Sequence, residues 1–346
     1  MIYFNNDYSE GCHPNILKKL TATNYEQTPG YGTDSYCDRA AAKIKALCNN
    51  ENLHVHFLVG GTQTNLTVIA AALRPYQAVI SAVSGHINVH ETGAIEATGH
   101  KVIGLPSDDG KITAAQIEKE ARSQSETMDA EHTVQPGMVY ISNPTEYGTI
   151  YSRKELQQIH DVCRKYGLYL FVDGARLGYG LTAADNDVTL EDMARLCDAF
   201  YIGGTKGGAL FGEALVISNS AINQDFRYMI KQRGGMLAKG WLLGLQFNVL
   251  LEDGLYFEVA AHANKLAQQL RQTLEELNIP VLVNSPSNQI FPILPNSVLS
   301  ELDKNFTYNL MERIDADHCC VRFCTSWATK QEAIDALCAA LKACYR

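Results

Sequence analysis

Between residues 54 and 217 the chain repeats one pattern: a short apolar run, a turn of glycines or small polar residues, then a stretch of helical length. Leu168-Tyr-Leu-Phe-Val172 is apolar throughout, as a strand buried on both faces must be. His54–Val59, Ala78–Ala82, Lys101–Leu105, Gly137–Ser142 and Ala199–Ile202 have the same character. Helical segments separate them: 66–73, 113–122, a capping-box helix opening at Ser152-Arg-Lys-Glu155, and 188–196. Strand and helix in alternation predict an α/β fold, a mostly parallel central sheet flanked by helices and joined by right-handed crossovers. Sheets of this kind bind ligands beyond the carboxyl ends of their strands.

The pattern changes at Gly254. A helix over 257–277 precedes short strand-like pieces at 281–283, 290–294 and 319–324, and a last helix covers 330–344. This divides the chain into a large α/β domain, 1–254, and a smaller C-terminal α+β domain, 255–346. A chain of 346 residues suits two cores better than one. The first 36 residues read as aromatic and polar loops around a short helix (14–20), placed to cover a site. A second helix is expected over 38–49.

Several function classes drop out. The net charge is −9 and no basic stripe is present, which argues against nucleic acid as a partner. No apolar run approaches the roughly 18 residues of a membrane helix. Met1-Ile-Tyr-Phe-Asn lacks a basic, then apolar, leader, so a cytoplasmic protein is expected. The ten cysteines are scattered without a CxxC pair and read as reduced core thiols. His54 and His56 share a strand face, but no third ligand lies nearby, and no metal is expected.

The strand ends carry the chemistry. After Ala199–Ile202 comes Gly203-Gly-Thr-Lys206-Gly-Gly208, which leaves Lys206 few competing neighbours and suits a Schiff base with a carbonyl cofactor. Asp173, in Asp173-Gly-Ala-Arg176, ends the preceding buried strand, 33 residues before Lys206. Gly60-Gly61-Thr62 sits between a strand and a helix, where free N–H groups attract an anion such as phosphate. His86 follows another strand. Pyridoxal phosphate needs this set: a lysine for its aldehyde, a buried carboxylate for its ring nitrogen, helix N–H groups for its phosphate and a flat side chain over its ring. An arginine such as Arg176 would bind the substrate carboxylate.

With these motifs together, the sequence resembles the threonine aldolase and β-eliminating lyase family of fold-type I, pyridoxal-phosphate-dependent enzymes. The resemblance covers nearly the whole chain. Gly60-Gly61-Thr62 is similar to the family's phosphate loop. His86-Ile87, with Glu91 five residues on, is similar to its ring-stacking histidine motif, and Asp173–Arg176 matches without change. Asn6-Asp7, Tyr31-Gly32 and Arg322 correspond to its substrate-binding positions. The resemblance implies Lys206 as the cofactor lysine and Asn6, Tyr31, Arg176 and Arg322 around the substrate. It also implies a homodimer or homotetramer with shared active sites.

One segment departs. Where the family carries Glu-Asn-Thr-His-Asn, this chain has Ser142-Asn143-Pro144-Thr145-Glu146. The histidine assigned to the substrate hydroxyl is absent, with Thr145 or Glu146 near its place. The expected reaction is retro-aldol cleavage of β-hydroxy-α-amino acids to glycine and an aldehyde, with His86 as base and Glu91 or His90 as its partner. The alternatives are β-elimination from serine, cysteine or aromatic amino acids, with Lys206 as base, and a non-enzymatic ligand-binding member of the fold. Phosphate contacts from Lys231 or Arg233, across a subunit interface, stay open.

Overall fold

The computed structural model describes residues 1–345. Its first strand, β1 (Ile2–Tyr3), finds its partner near the other end of the chain. The central sheet is built from β2 (His54–Leu58), β3 (Gln77–Ala82), β4 (Val102–Leu105), β5 (Gln135–Ser142), β6 (Tyr169–Asp173), β7 (Ala199–Gly203) and β8 (Glu213–Ile217). Their order is β2-β8-β7-β6-β5-β3-β4. The five strands β4, β3, β5, β6 and β7 run parallel. β8 is antiparallel to both its neighbours, the exception that makes the sheet mostly rather than wholly parallel. The reason is the connection: β7 and β8 are joined by a short glycine-rich loop, too short for the crossover that parallel pairing needs.

β6, β7 and β8 are almost wholly buried because helices cover both sheet faces. Phe171 and Phe200 are fully inaccessible, each contributing about 1.5–3 kcal/mol by burial. Helix boundaries follow local caps. The early helix spans Ser35–Leu47, three residues ahead of the expected start, because the Asp34 carboxylate accepts the Tyr36 and Cys37 N–H groups. The capping box at Ser152 and Glu155 forms as expected.

A second sheet lies in the C-terminal part. It contains β9 (Gln289–Ile290), β10 (Ile293–Pro295), β12 (Asn309–Arg313) and β13 (His318–Cys324), all antiparallel about β13. Between them β11 (Phe306–Thr307) pairs in parallel with β1. Phe4 packs into this second core with Phe306 and Phe323. The segment after β1 is thereby carried to the carboxyl ends of β6 and β7, where Asp7 meets Arg176. No described helix is long and apolar enough to cross a membrane.

Candidate active site

The carboxyl ends of β3, β5, β6 and β7 and the start of the helix Gly61–Ala72 surround one cavity of about 330 Å³. Two glycines make this convergence possible. A Cβ on Gly174 would lie 1.8 Å from the Tyr201 carbonyl oxygen, so only glycine lets the ends of β6 and β7 meet. The Gly203 N–H then bonds the Gly174 carbonyl at 3.0 Å, bringing Asp173 and the Lys206 loop side by side. A Cβ on Gly85 would lie 2.1 Å from Ser81 Oγ, so the turn after β3 places His86 directly over the sheet end.

Asp173 is 5% exposed and fully engaged. Its Oδ2 accepts Tyr140 Oη at 2.6 Å and Asn65 Nδ2 at 3.0 Å, and its Oδ1 accepts the Ala175 N–H at 3.0 Å. Burial alone would raise its pKa. The charge of His86 and the Tyr140 hydroxyl outweigh that and hold the carboxylate below its usual range. Asn65 Nδ2 also donates to Glu91 Oε1 at 2.7 Å, and that same oxygen meets His86 Nδ1 at 2.7 Å. One amide therefore links Asp173 to the Glu91–His86 pair. Burial works against a charged His86, but the bond to Glu91 and the charges of Asp173 and Glu91 raise its pKa.

Lys206 lines the cavity, and its Nζ has no hydrogen bond or ion pair among the described residues; the Tyr8 ring lies 6.0 Å away, measured to its centroid. Burial, and then the Arg176 guanidinium, lower its pKa, which leaves the amine a better nucleophile at neutral pH. Glu213 at the start of β8 lies behind the loop. It accepts the Gly204 N–H at 3.1 Å and Thr205 Oγ1 at 2.9 Å, and burial pushes its pKa up to about 8.

Arg176 is clamped by Asp7, with Nε to Oδ2 at 2.7 Å and Nη2 to Oδ1 at 3.0 Å. Asp7 is wholly buried and accepts Asn288 as well. Burial would raise the Asp7 pKa, but the charge of Arg176 and then Lys206 lower it overall. The remaining nitrogen of Arg176, Nη1, has no partner among the described residues, in a side chain that lines the cavity. A second, outer cavity of about 720 Å³ shares Tyr8, His86, Glu146, Arg176 and Lys206 with the first. Arg322 from β13 lines this outer space and is braced by the Asn5 carbonyl and Gln289.

Gly60, Gly61, Thr62, His86, Asp173, Arg176 and Lys206 thus meet in one place. Glu91 stands behind His86, 5% exposed. Asn6 lines neither cavity, and its side chain is used in a turn with Tyr8 and Ser9. Tyr31 lies elsewhere, in a groove with Arg227 and Met236, its ring 4.9 Å from Lys231 Nζ. Arg233 Nε is buried and unpartnered, and the Arg233 carbonyl accepts Gln63. Asn65, Tyr140 and Glu213 were missed in the sequence. A polar Asn opening an apolar helix was the available signal for Asn65; Tyr140 and Glu213 sit in apolar strands that gave none.

The residues present fit pyridoxal phosphate. The buried amine lacks an acceptor. The first bond of the helix Gly61–Ala72 is Thr64 N–H to Gly60 O, so the N–H groups before it have no intrahelical acceptor. A Cβ at Gly60 would meet nothing within 4 Å, leaving an open cradle for a phosphate there. The Tyr201 hydroxyl also lines the cavity, buried beside Asp173. Sheet, lysine and carboxylate define the class, an α/β enzyme of pyridoxal-phosphate fold type I.

Comparison with known proteins agrees. The β-eliminating lyase family matches residues 10–294. The low specificity L-threonine aldolase of Pseudomonas sp. (strain NCIMB 10558) is 30% identical, covering 98% of this chain and 97% of that one. The structure of Leishmania major threonine aldolase is 48% identical over the whole of both chains, with a TM-score of 0.98. The histidinol-phosphate aminotransferase of Clostridium acetobutylicum, 13% identical, shares the fold over 100% of this chain and 99% of that one, with a TM-score of 0.75. The chain belongs to the β-eliminating lyase family.

Proposed function

We propose that this protein is a pyridoxal-phosphate-dependent carbon–carbon lyase. It cleaves β-hydroxy-α-amino acids of the threonine, allo-threonine and phenylserine type to glycine and an aldehyde. The observation that carries the reading is the Arg176 guanidinium, immobilised by buried Asp7 in the same cavity as an unpaired lysine amine. A fixed guanidinium beside that amine suits the carboxylate and amino group of one α-amino acid. The named relatives support the cleavage chemistry.

When bound, the cofactor supplies a carbonyl that captures the substrate amine and a conjugated ring that accepts the electron pair of the broken Cα–Cβ bond. Lys206 would hold its carbonyl carbon, Asp173 its ring nitrogen, and the helix start at Gly60, Gly61 and Thr62 its phosphate. Asp173 is kept ionised by its three donors, so it can hold a proton on that nitrogen. His86, fixed by Glu91, would cover the ring face. Arg176 and Arg322 orient the carboxylate, which fixes the torsion that aligns Cα–Cβ for cleavage.

The active form is a homodimer or homotetramer. Tyr31, with Lys231, lies outside its own chain's cavity, as a residue serving a neighbouring subunit's site would. Ten free cysteines, nine of them buried, suit a reducing compartment, and we place the enzyme in the cytoplasm.

The test is a product assay on the cofactor-loaded protein. Glycine plus an aldehyde from L-threonine, L-allo-threonine or phenylserine is the expected outcome. Ammonia plus a 2-keto acid from serine, cysteine or tyrosine, with no glycine from the first set, would assign β-elimination instead. No product from either set would leave a ligand-binding member of the fold.

A further inference from the structure

The geometry points to Glu146, not His86, as the base that takes the β-hydroxyl proton, an assignment that rests on the lyase reading above. Five side chains line both cavities, at the neck between them: Tyr8, His86, Glu146, Arg176 and Lys206. Glu146 is the one carboxylate among them. Its Oε1 is held by two donors, the His86 backbone N–H at 2.9 Å and Ser142 Oγ at 2.7 Å. No other described residue donates a hydrogen bond to its Oε2. One oxygen is therefore fixed while the other is left for a ligand at the neck.

The competing groups are committed elsewhere. His86 gives Nδ1 to Glu91, and its ring is the one assigned above to lie over the cofactor. Thr145 is 1% exposed, and its Oγ1 is used by Thr149 Oγ1 at 2.7 Å and the Asp109 carbonyl at 3.3 Å. His90 lines only the outer cavity, and burial, then the charge of His86, weaken it as a base. Burial raises the pKa of Glu146, helped by the charge of Asp173, which strengthens a carboxylate as a proton acceptor.

The step balances. Oε2 takes the β-hydroxyl proton, and the freed O–H pair becomes the second bond of the aldehyde carbonyl. The Cα–Cβ bond breaks, and its pair stays with the α-carbon fragment. The α-carbon gains one proton to become glycine, and Glu146 loses one to solvent through the outer cavity.

The test compares cofactor-loaded wild type and Glu146→Gln in two assays. One is glycine release from L-threonine. The other is exchange of glycine's α-proton in D2O, which needs Lys206 and the carboxylate site but no β-hydroxyl. Gln keeps an oxygen for the His86 N–H and Ser142, so the neck should stay intact. Expected is a loss of at least about 10²-fold in glycine release, with exchange within about 3-fold of wild type. Glycine release within about 3-fold of wild type would return the role to His86. Parallel loss in both assays would make Glu146 a positioning residue and overturn the assignment. Glu146→Asp, which keeps a carboxylate, should recover part of the rate lost in Gln; equal loss in both variants also counts against it. Wild type that exchanges glycine but cleaves no β-hydroxy amino acid would remove the lyase reading itself, and the base with it.

Discussion

The two cavities that meet at Lys206 are built on opposite plans. Along the wall of the inner one and behind it, Asp173, Asn65, Glu91 and His86 form a continuous run of hydrogen bonds, and all but His86 are buried. In the outer one, Leu310 is 64% exposed, Val89 51% and Met311 37%, and the wall comes partly from β12, the edge of the small sheet. Closely bonded buried groups hold one geometry, whereas exposed apolar side chains tolerate many occupants. The contrast teaches a division of labour. On the proposed function, the inner cavity would hold the cofactor in one pose and the outer one would admit β-substituents of different size.

The largest expected effect breaks the inner cavity at its centre. Lys206→Ala should lower glycine release by at least about 10³-fold, with the melting temperature little changed. A variant keeping a tenth of wild-type activity would remove Lys206 from the reaction. Next comes the clamp between the two regions. Asp7→Asn leaves the Arg176 charge buried without its partner and should cost about 3–5 kcal/mol of stability, together with a raised KM. The pH dependence has a definite sign. The Asp7 pKa lies below 3.8 in the folded protein, so its stabilisation is complete above that pH and fades as pH falls through the lower folded value. The gap between wild type and Asp7→Asn, measured by denaturant midpoints, should therefore be wide at pH 7 and narrower at pH 3. A gap independent of pH would mean that the ion pair does not carry the difference.

Asn65→Ala sharpens the comparison with a smaller cut. It unlinks Asp173 from Glu91 without touching any group that faces the substrate, and each lost bond to a carboxylate is worth about 1.5–3 kcal/mol. We expect kcat to drop about tenfold or more with KM held within about 2-fold; a change confined to KM would place Asn65 on the substrate side instead. The smallest effect belongs to the outer wall. Leu310→Ala should shift stability by no more than about 0.5 kcal/mol. It should also lower the preference for phenylserine over threonine by about 3-fold, as expected for removing part of an apolar contact. An unchanged preference would mean that β12 does not sense the β-substituent.

By itself the sequence determined the alternation of strands and helices, the strand ends that carry Asp173, His86 and Lys206, and the Ser152 capping box. These depend on local rules: apolar runs bury, glycines permit close approach, and caps satisfy nearby N–H groups. It also marked the segment at Ser142–Glu146 as unusual, but left Thr145 and Glu146 open. Only the tertiary structure decided between them, by spending the Thr145 hydroxyl on Thr149 and leaving one Glu146 oxygen free. It alone paired Asp7 with Arg176 across 169 positions and Asn65 with Asp173 across 108, and it turned β8 antiparallel. It carried Tyr31 away from its own cavity and paired the first strand with β11, more than 300 positions away. The physical reason is common to all of these. A polar side chain has no preferred distant partner until hydrophobic burial has closed the chain around it, and that closure is a property of the whole fold.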